Sequence, residues 1–243
     1  MNNHGAPTFR TRRLTLAVIA PHPDDDILGC GILIRNAQRA RWRVVVIALT
    51  DGQASHPNSA RWPAQALGRL RRAEMRRALA RLAAGTVPMR FMGWRDGSLE
   101  VDGSALLLRR ILQSAGATDV AVASAQDHHP DHRAAWLLAR AATAHSQSRL
   151  HAYEVWARCE GATRPFFSPG KSCKHWAMQA HRSQVTEYIT DDPEGFVFSK
   201  SVVRRLLTVA ETLTLRQSKI VSTKRPVRHF AKLLRDKSFI ELT

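Results

Sequence analysis

Along this chain the apolar positions change period several times, and each change falls where a strand would hand over to a helix. Leu14 to Ala20 and Val44 to Leu49 are unbroken apolar runs rich in β-branched residues. Strands covered on both faces of a parallel sheet read this way, without alternation. Between them, Ile27 to Arg41 has the length of a helix. After the turn signal Thr50-Asp51-Gly52, Leu67, Leu70, Met75, Leu79 and Leu82 recur near helical spacing within Ala64 to Ala83, which predicts an amphipathic helix. The alternation continues with a strand over Val87 to Met92, a helix over Ala105 to Ala115, a strand over Asp119 to Ala125, a helix over Arg133 to Ala144 and a strand over Leu150 to Val155. Such a series predicts an α/β fold: a Rossmann-like open, mostly parallel sheet with helices on both faces and right-handed crossovers.

Beyond Val155 the pattern weakens. Gly161, Pro165, Pro169 and Gly170 mark Ala157 to Lys174 as a loop. Lys174 to Gln184 and Ser201 to Leu213 read as helices, the second with Val202, Val203, Leu206, Leu207, Ala210 and Leu213 along one face. The segment Val227 to Ile240 mixes Phe230, Leu233, Leu234, Phe239 and Ile240 with Lys and Arg. Docking against the domain is the simpler reading for it than lying on an anionic surface. The 243 residues are read as a single domain, with a basic extension over 1–13 and a basic tail over 214–243.

Composition constrains class and surroundings. A hydrophobic content of 44% argues against disorder. The longest apolar runs fall well short of the ~20 residues that cross a bilayer. The first of them leads straight into His22 with no cleavage pattern, so it reads as a strand and not as a signal peptide. Cys30, Cys159 and Cys173 have no zinc-knuckle spacing, and so sparse a set fits a reducing cytoplasm. The formal charge of +17 makes an acidic partner plausible, although a solvated arginine-rich surface explains it equally well. Basic residues are spread along the chain and thicken toward the end, which counts against specific nucleic-acid binding and leaves room for peripheral contact with an anionic membrane.

The chemistry gathers in two segments: His22-Pro23-Asp24-Asp25-Asp26 after the first strand, and Asp127-His128-His129-Pro130-Asp131-His132 after the strand at Asp119. Each stands where a strand passes to a helix, the place where open α/β sheets build their sites. A helix cap would need one of the aspartates. It would not need His22, nor three adjacent carboxylates, whose repulsion must be offset by a cation or by N–H donors. The second segment also reads as a polar loop entering a helix at Pro130. Together the two offer His and Asp ligands to one divalent ion, with room left for water, in the mixed nitrogen and oxygen chemistry that zinc accepts.

His22-Pro23-Asp24-Asp25-Asp26 followed by Leu28-Gly29-Cys30-Gly31, with His129-Pro130-Asp131-His132 later, resembles the LmbE/PIG-L family of zinc-dependent N-acetylglucosaminyl deacetylases. Supporting matches are Thr50-Asp51-Gly52, Arg71-x-x-Glu74, Asp96-Gly97-x-Leu99, Tyr153-Glu154 and Lys174-x-x-Ala177-x-x-x-His181-x-Ser183-Gln184, so the resemblance spans about residues 14 to 185. It implies that His22, Asp25 and His132 ligate zinc, or iron or another divalent ion in its place. It implies further that Asp24 is the general base for the attacking water and that His129 stabilises or protonates the oxyanion. Arg71 and Asp96 match positions that bind sugar hydroxyls; an Arg–Glu helix pair and a turn cap are their plain structural alternatives. The chain departs from the pattern at Asp26, where Glu is common, and in the stretch 157–172, which has no match. Lys174 and His181 match it without a physical role, and His128 is a neighbour of the site.

The resulting expectation is removal of an N-acetyl group from an amino-sugar conjugate, small or lipid-linked, with an anionic acceptor compatible with the basic surface. Three other readings remain. One is a deacylase of a non-sugar amine. Another is a basic nucleic-acid- or membrane-binding protein with a secondary metal site, whose binding would fall steeply with salt. The third, a dinucleotide-dependent oxidoreductase, rests only on Gly29 and Gly31. It lacks the third glycine and places carboxylates where pyrophosphate would be repelled.

Overall fold

The computed structural model describes residues 13–83, 85–101, 103–156, 164–166, 171–208 and 211–217. Residues 1–12, most of the stretch read as a loop and the tail beyond Gln217 lie outside them. The elements run β1 (Thr15–Ala20), α1 (Asp25–Arg39), β2 (Arg43–Thr50), α2 (Ala64–Leu82), β3 (Met89–Trp94), α3 (Ser104–Ala115), β4 (Asp119–Ala123), α4 (Pro130–Thr143), β5 (Arg149–Tyr153), β6 (Arg164–Phe166), α5 (Lys171–Met178), α6 (Arg182–Val185), α7 (Lys200–Thr208) and β7 (Glu211–Gln217). Among the described residues no helix is long and apolar enough to cross a membrane.

The strands form one sheet in the order β3-β2-β1-β4-β5-β7-β6. The pairings from β3 to β5 are parallel; β7 runs antiparallel to β5 and to β6. The α/β, mostly parallel architecture is therefore as the apolar pattern indicates. β1 shows why its run is unbroken: Leu16, Val18 and Ala20 face one helix layer, whereas Ala17 and Ile19 face the other. Burying each such Leu or Ile is worth about 1.5–3 kcal/mol, so the strand is apolar at every position after Thr15. Chain order reverses between β1 and β4. The connections leave those two strands in opposite directions, and the crevice between them is where open sheets bind ligands.

Several boundaries differ from expectation: the stretch read as a loop over Ala157 to Lys174 holds β6 and the start of α5, and the tail read from 214 begins inside β7. The helix read over Ser201 to Leu213 ends at Thr208, and Glu211 to Leu213 begin β7 instead. Its alternating Thr212-Leu213-Thr214-Leu215 has the period of a strand, and an edge partner, β5, is within reach. The helix read over Lys174 to Gln184 is broken by a turn at Gln179 and Ala180 into α5 and α6. α4 begins at Pro130, three residues before the expected Arg133, because proline is pre-organised for the first helical position.

Lys174 and Glu211 explain how β7 and α5 are tied to α1. Lys174 Nζ lies 2.8 Å from Glu211 Oε1 and donates to the Leu28 carbonyl at 2.7 Å. Glu211 accepts from the backbone N–H groups of Ile32 and Leu33. The buried pair thus serves both sides of one helical step, since Ile32 N–H is the group that faces Leu28 C=O four residues earlier. Gly29 admits the Tyr153 ring, which its Cβ would overlap, and Tyr153 Oη donates to the Ile19 carbonyl at 2.9 Å. Gly29 is thus a packing residue of α1, and Gly31 faces Glu211 and Lys174, which leaves the dinucleotide reading without support.

Candidate active site

β1 ends at Ala20, and the turn that follows folds His22 back over α1: its backbone N–H donates to Asp25 Oδ2 at 2.9 Å. From β4 the chain passes through Asp127 to His129, whose Nδ1 accepts the Asp131 N–H at 3.2 Å and so caps α4. The cap reading of this segment and its chemical reading therefore coexist. With Nδ1 an acceptor, the neutral ring carries its proton on Nε2.

The two segments meet. Asp25 Oδ2 lies 3.1 Å from His22 Nδ1 and 3.2 Å from His132 Nε2. His22 Nε2 lies 3.2 Å from both Asp96 and Asp131, and His132 Nδ1 lies 3.0 Å from Asp127. The rings of His22, His129 and His132 have centroids 4.7 to 5.4 Å apart. Asp24 Oδ2 accepts from Arg71 Nη2 at 3.0 Å, and Arg71 Nη1 donates to the Gly52 carbonyl at 2.8 Å. Gly52 has φ +65°, and a Cβ there would collide with the Arg71 guanidinium. That close approach is the use of the glycine in Thr50-Asp51-Gly52. Arg71 turns to Asp24 while Glu74 takes the Ser183 N–H and hydroxyl, so the Arg–Glu helix pair is not formed. Asp96 accepts from Ala54 N at 2.7 Å and also faces His22.

The electrostatics favour a cation. Burial works against charging His132, but Asp25 and Asp127 outweigh it and raise the pKa to about 9. Burial likewise lowers His22, and hydrogen bonds to Asp131, Asp25 and Asp96 reverse the shift to well above the ordinary histidine range. Asp96 is opposed by burial but drawn down to about 2 by His22. Burial pushes Asp24 up to about 7, with the Arg71 guanidinium pulling the other way. His129 is lowered by burial and then by the nearby His22 and His132, so it is neutral at pH 7.

The residues fit a divalent metal. His132 is fully buried, and neither ring nitrogen makes a hydrogen bond of acceptable geometry although a carboxylate oxygen lies close to each. Nε2, beside Asp25, is left available to an ion, with Asp127 at the opposite nitrogen. His22, His129 and His132 offer ring nitrogens that all lie within 4.8 Å of one another, and His22, Asp96 and Asp131 form a second such group. Imidazole and carboxylate together suit zinc and also iron.

A cleft of about 470 Å³ opens over these groups. Of the residues singled out from the sequence, His22, Asp24, Asp25, Arg71, Asp96, His129 and His132 all line it. Asp127 and Asp131 were within the second motif but had no assigned part; they hold His132 and His22 from behind. Trp156, Phe196, Phe198 and Gln184 also line the cleft. Only Gln184 had a signal, within His181-x-Ser183-Gln184. His181 is wholly buried with neither ring nitrogen partnered, and burial lowers its pKa to about 3. Both oxygens of buried Asp26 are unpartnered too, and burial raises its pKa well above the usual range.

Solved structures similar to this chain include N,N'-diacetylchitobiose deacetylase from Pyrococcus horikoshii, 21% identical over 83% of this chain and 83% of that chain, with a TM-score of 0.66. A conserved protein from Thermus thermophilus is 24% identical over 87% and 98%, with a TM-score of 0.61. 4-Carboxy-2-hydroxymuconate hydratase from Pseudomonas putida is 17% identical over 86% and 99%, with a TM-score of 0.64. Identities this low establish the fold alone, and the hydratase shows that the fold serves more than one reaction. No curated protein matches the sequence. The profile of the family described as PIG-L, GlcNAc-PI de-N-acetylase, matches residues 17–143. That span contains both histidine and aspartate segments, Arg71 and Asp96, and covers more than half the chain: the protein belongs to the PIG-L family.

Proposed function

We propose that the protein is a metal-dependent hydrolase that removes the N-acetyl group from an N-acetylglucosamine-type conjugate. The observation that carries this reading is the convergence of two distant histidine and aspartate segments beside a buried, arginine-held carboxylate of raised pKa. His22, Asp25 and His132 would hold the ion, with zinc the metal best suited to them. A divalent ion bound there supplies Lewis acidity for the amide carbonyl and lowers the pKa of the attacking water.

The remaining steps belong to the chain. Burial raises the pKa of Asp24 to about 7, which suits a general base near neutrality. It takes a proton from the attacking water, and Arg71 fixes the carboxylate in place while doing so. Neutral His129 donates from Nε2 to the oxygen that gains charge as the carbonyl becomes tetrahedral. The departing amine leaves with the proton that Asp24 collected. Asp96 and Arg71 stand at the cleft to meet sugar hydroxyls, although Arg71 already commits hydrogen bonds to Asp24 and Gly52.

The test is acetate release with Asp24→Asn at unchanged metal content. Activity should fall by at least about 10²-fold, as expected for loss of a general base. Near-native activity with metal bound would remove Asp24 from this part. Loss of bound metal in His132→Ala, read by elemental analysis, checks the ligand assignment separately.

A further inference from the structure

The cleft has two chemically different halves. Its floor is the imidazole and carboxylate cluster, and its far side is aromatic. Trp156 stacks on Phe198 with centroids 5.2 Å apart and planes at 17°. Phe196 stands edge-on to both, at 84° to Trp156 and 78° to Phe198. The three rings form a corner, with one stacked pair and one upright ring. Phe198 is buried, and Phe196 is 44% exposed.

The corner is held in place. Phe196 N–H donates to the Ser55 carbonyl at 2.6 Å and Phe198 N–H to the Gln184 carbonyl at 2.8 Å. Asp191 and Asp192, earlier in the same segment, accept from Ser59, Arg61 and Asn58. Trp156 N–H donates to Asp127 Oδ2, the oxygen that also faces His132. One carboxylate therefore sets both a proposed ligand and the aromatic wall.

We propose that this wall is the acceptor subsite of the enzyme, and that it takes an uncharged group with a flat apolar face attached to the amino sugar. The N-acetylated ring lies over the polar floor. The inference rests on the deacetylase reading of that floor. Two observations select the occupant. Rings arranged at a corner offer both stacked and edge-to-face contacts to a planar group. The cations among the described lining residues, Arg71, His22 and His132, belong to the floor and face its carboxylates, while Glu194 adds negative charge on the rim. No described residue of the aromatic wall offsets a phosphate.

The experiment compares the metal-loaded protein and Phe196→Ala on three probes: N-acetylglucosamine, its phenyl β-glycoside and its 1-phosphate. The wild type should prefer the phenyl glycoside to the free sugar in kcat/KM. Phe196→Ala should cut that preference about tenfold, the size of an aromatic contact, and Phe196→Trp should retain it. A preference unchanged within about twofold in Phe196→Ala overturns the subsite, as does a wild type that favours the 1-phosphate. If no probe releases acetate, the hydrolase reading fails and calorimetry judges the wall by itself. Tighter binding of the phenyl glycoside, lost in Phe196→Ala, upholds it; equal or absent binding of phenyl glycoside and free sugar overturns it.

Discussion

Replacing Glu211 with Leu removes the carboxylate that joins β7 to the middle of α1. It strands the Lys174 ammonium in the interior and leaves two backbone N–H groups, of Ile32 and Leu33, without their acceptor. Breaking a buried ion pair from one side costs about 3–5 kcal/mol. For a chain of this size that corresponds to a fall in Tm of roughly 6–20 °C. Lys174→Met should cost less, about 1–3 kcal/mol, because the carboxylate keeps its two N–H donors and Leu28 C=O is the group left over. The double variant removes both charges, so its loss should fall short of the sum by about 1–3 kcal/mol. Urea unfolding followed by far-UV circular dichroism gives all three values, provided the slope m stays constant across the set. Single losses that add to within about 0.5 kcal/mol would refute the coupling. A cost below about 1 kcal/mol for Glu211→Leu would refute the whole account of the pair.

Three further outcomes are expected. Arg71→Lys should lower kcat by about 10- to 100-fold with metal content unchanged, since lysine cannot hold Asp24 and the Gly52 carbonyl at once; an unaltered kcat would show that Asp24 needs no such support. Asp119 is held below its ordinary pKa of 3.8: burial opposes this, but hydrogen bonds to His151 and Arg149 prevail. A depressed carboxylate stabilises the fold above its unfolded pKa and loses that stability as pH falls through its folded pKa. Asp119→Asn should thus cost about 3–5 kcal/mol near neutrality, with the gap to wild type closing below pH 3.8 in acid titrations of unfolding; a gap independent of pH would contradict it. Gly29→Ala should destabilise by about 1–3 kcal/mol through its clash with the Tyr153 ring, measured as a shift in the urea midpoint.

The α/β architecture was legible because strands buried on both faces must be apolar throughout, and Leu14 to Ala20 and Val44 to Leu49 leave no simpler reading. The two histidine and aspartate segments were legible as one candidate site because each lies within a few residues of a strand end. β7 was not. Its Leu213 continues the apolar spacing read for α7, and pairing with β5 and β6 decides for the strand that the alternation from Thr212 also allows.

The sequence by itself determined the candidate side chains: His22, Asp24, Asp25, His129 and His132 stand in motifs at the ends of strands. What they meet was decided by the tertiary structure. Arg71 comes to Asp24 from α2 and Asp127 braces His132. Lys174 and Glu211 find each other across 37 residues of chain, counting from 174 to 211, inside a helix to which neither belongs. Trp156 and Phe196 form one wall from either side of α5 and α6. Such pairings carry no local signal, because a buried charge or an aromatic ring is stabilised by whatever the fold brings within about 4 Å, and that distance is set by packing and not by order along the chain.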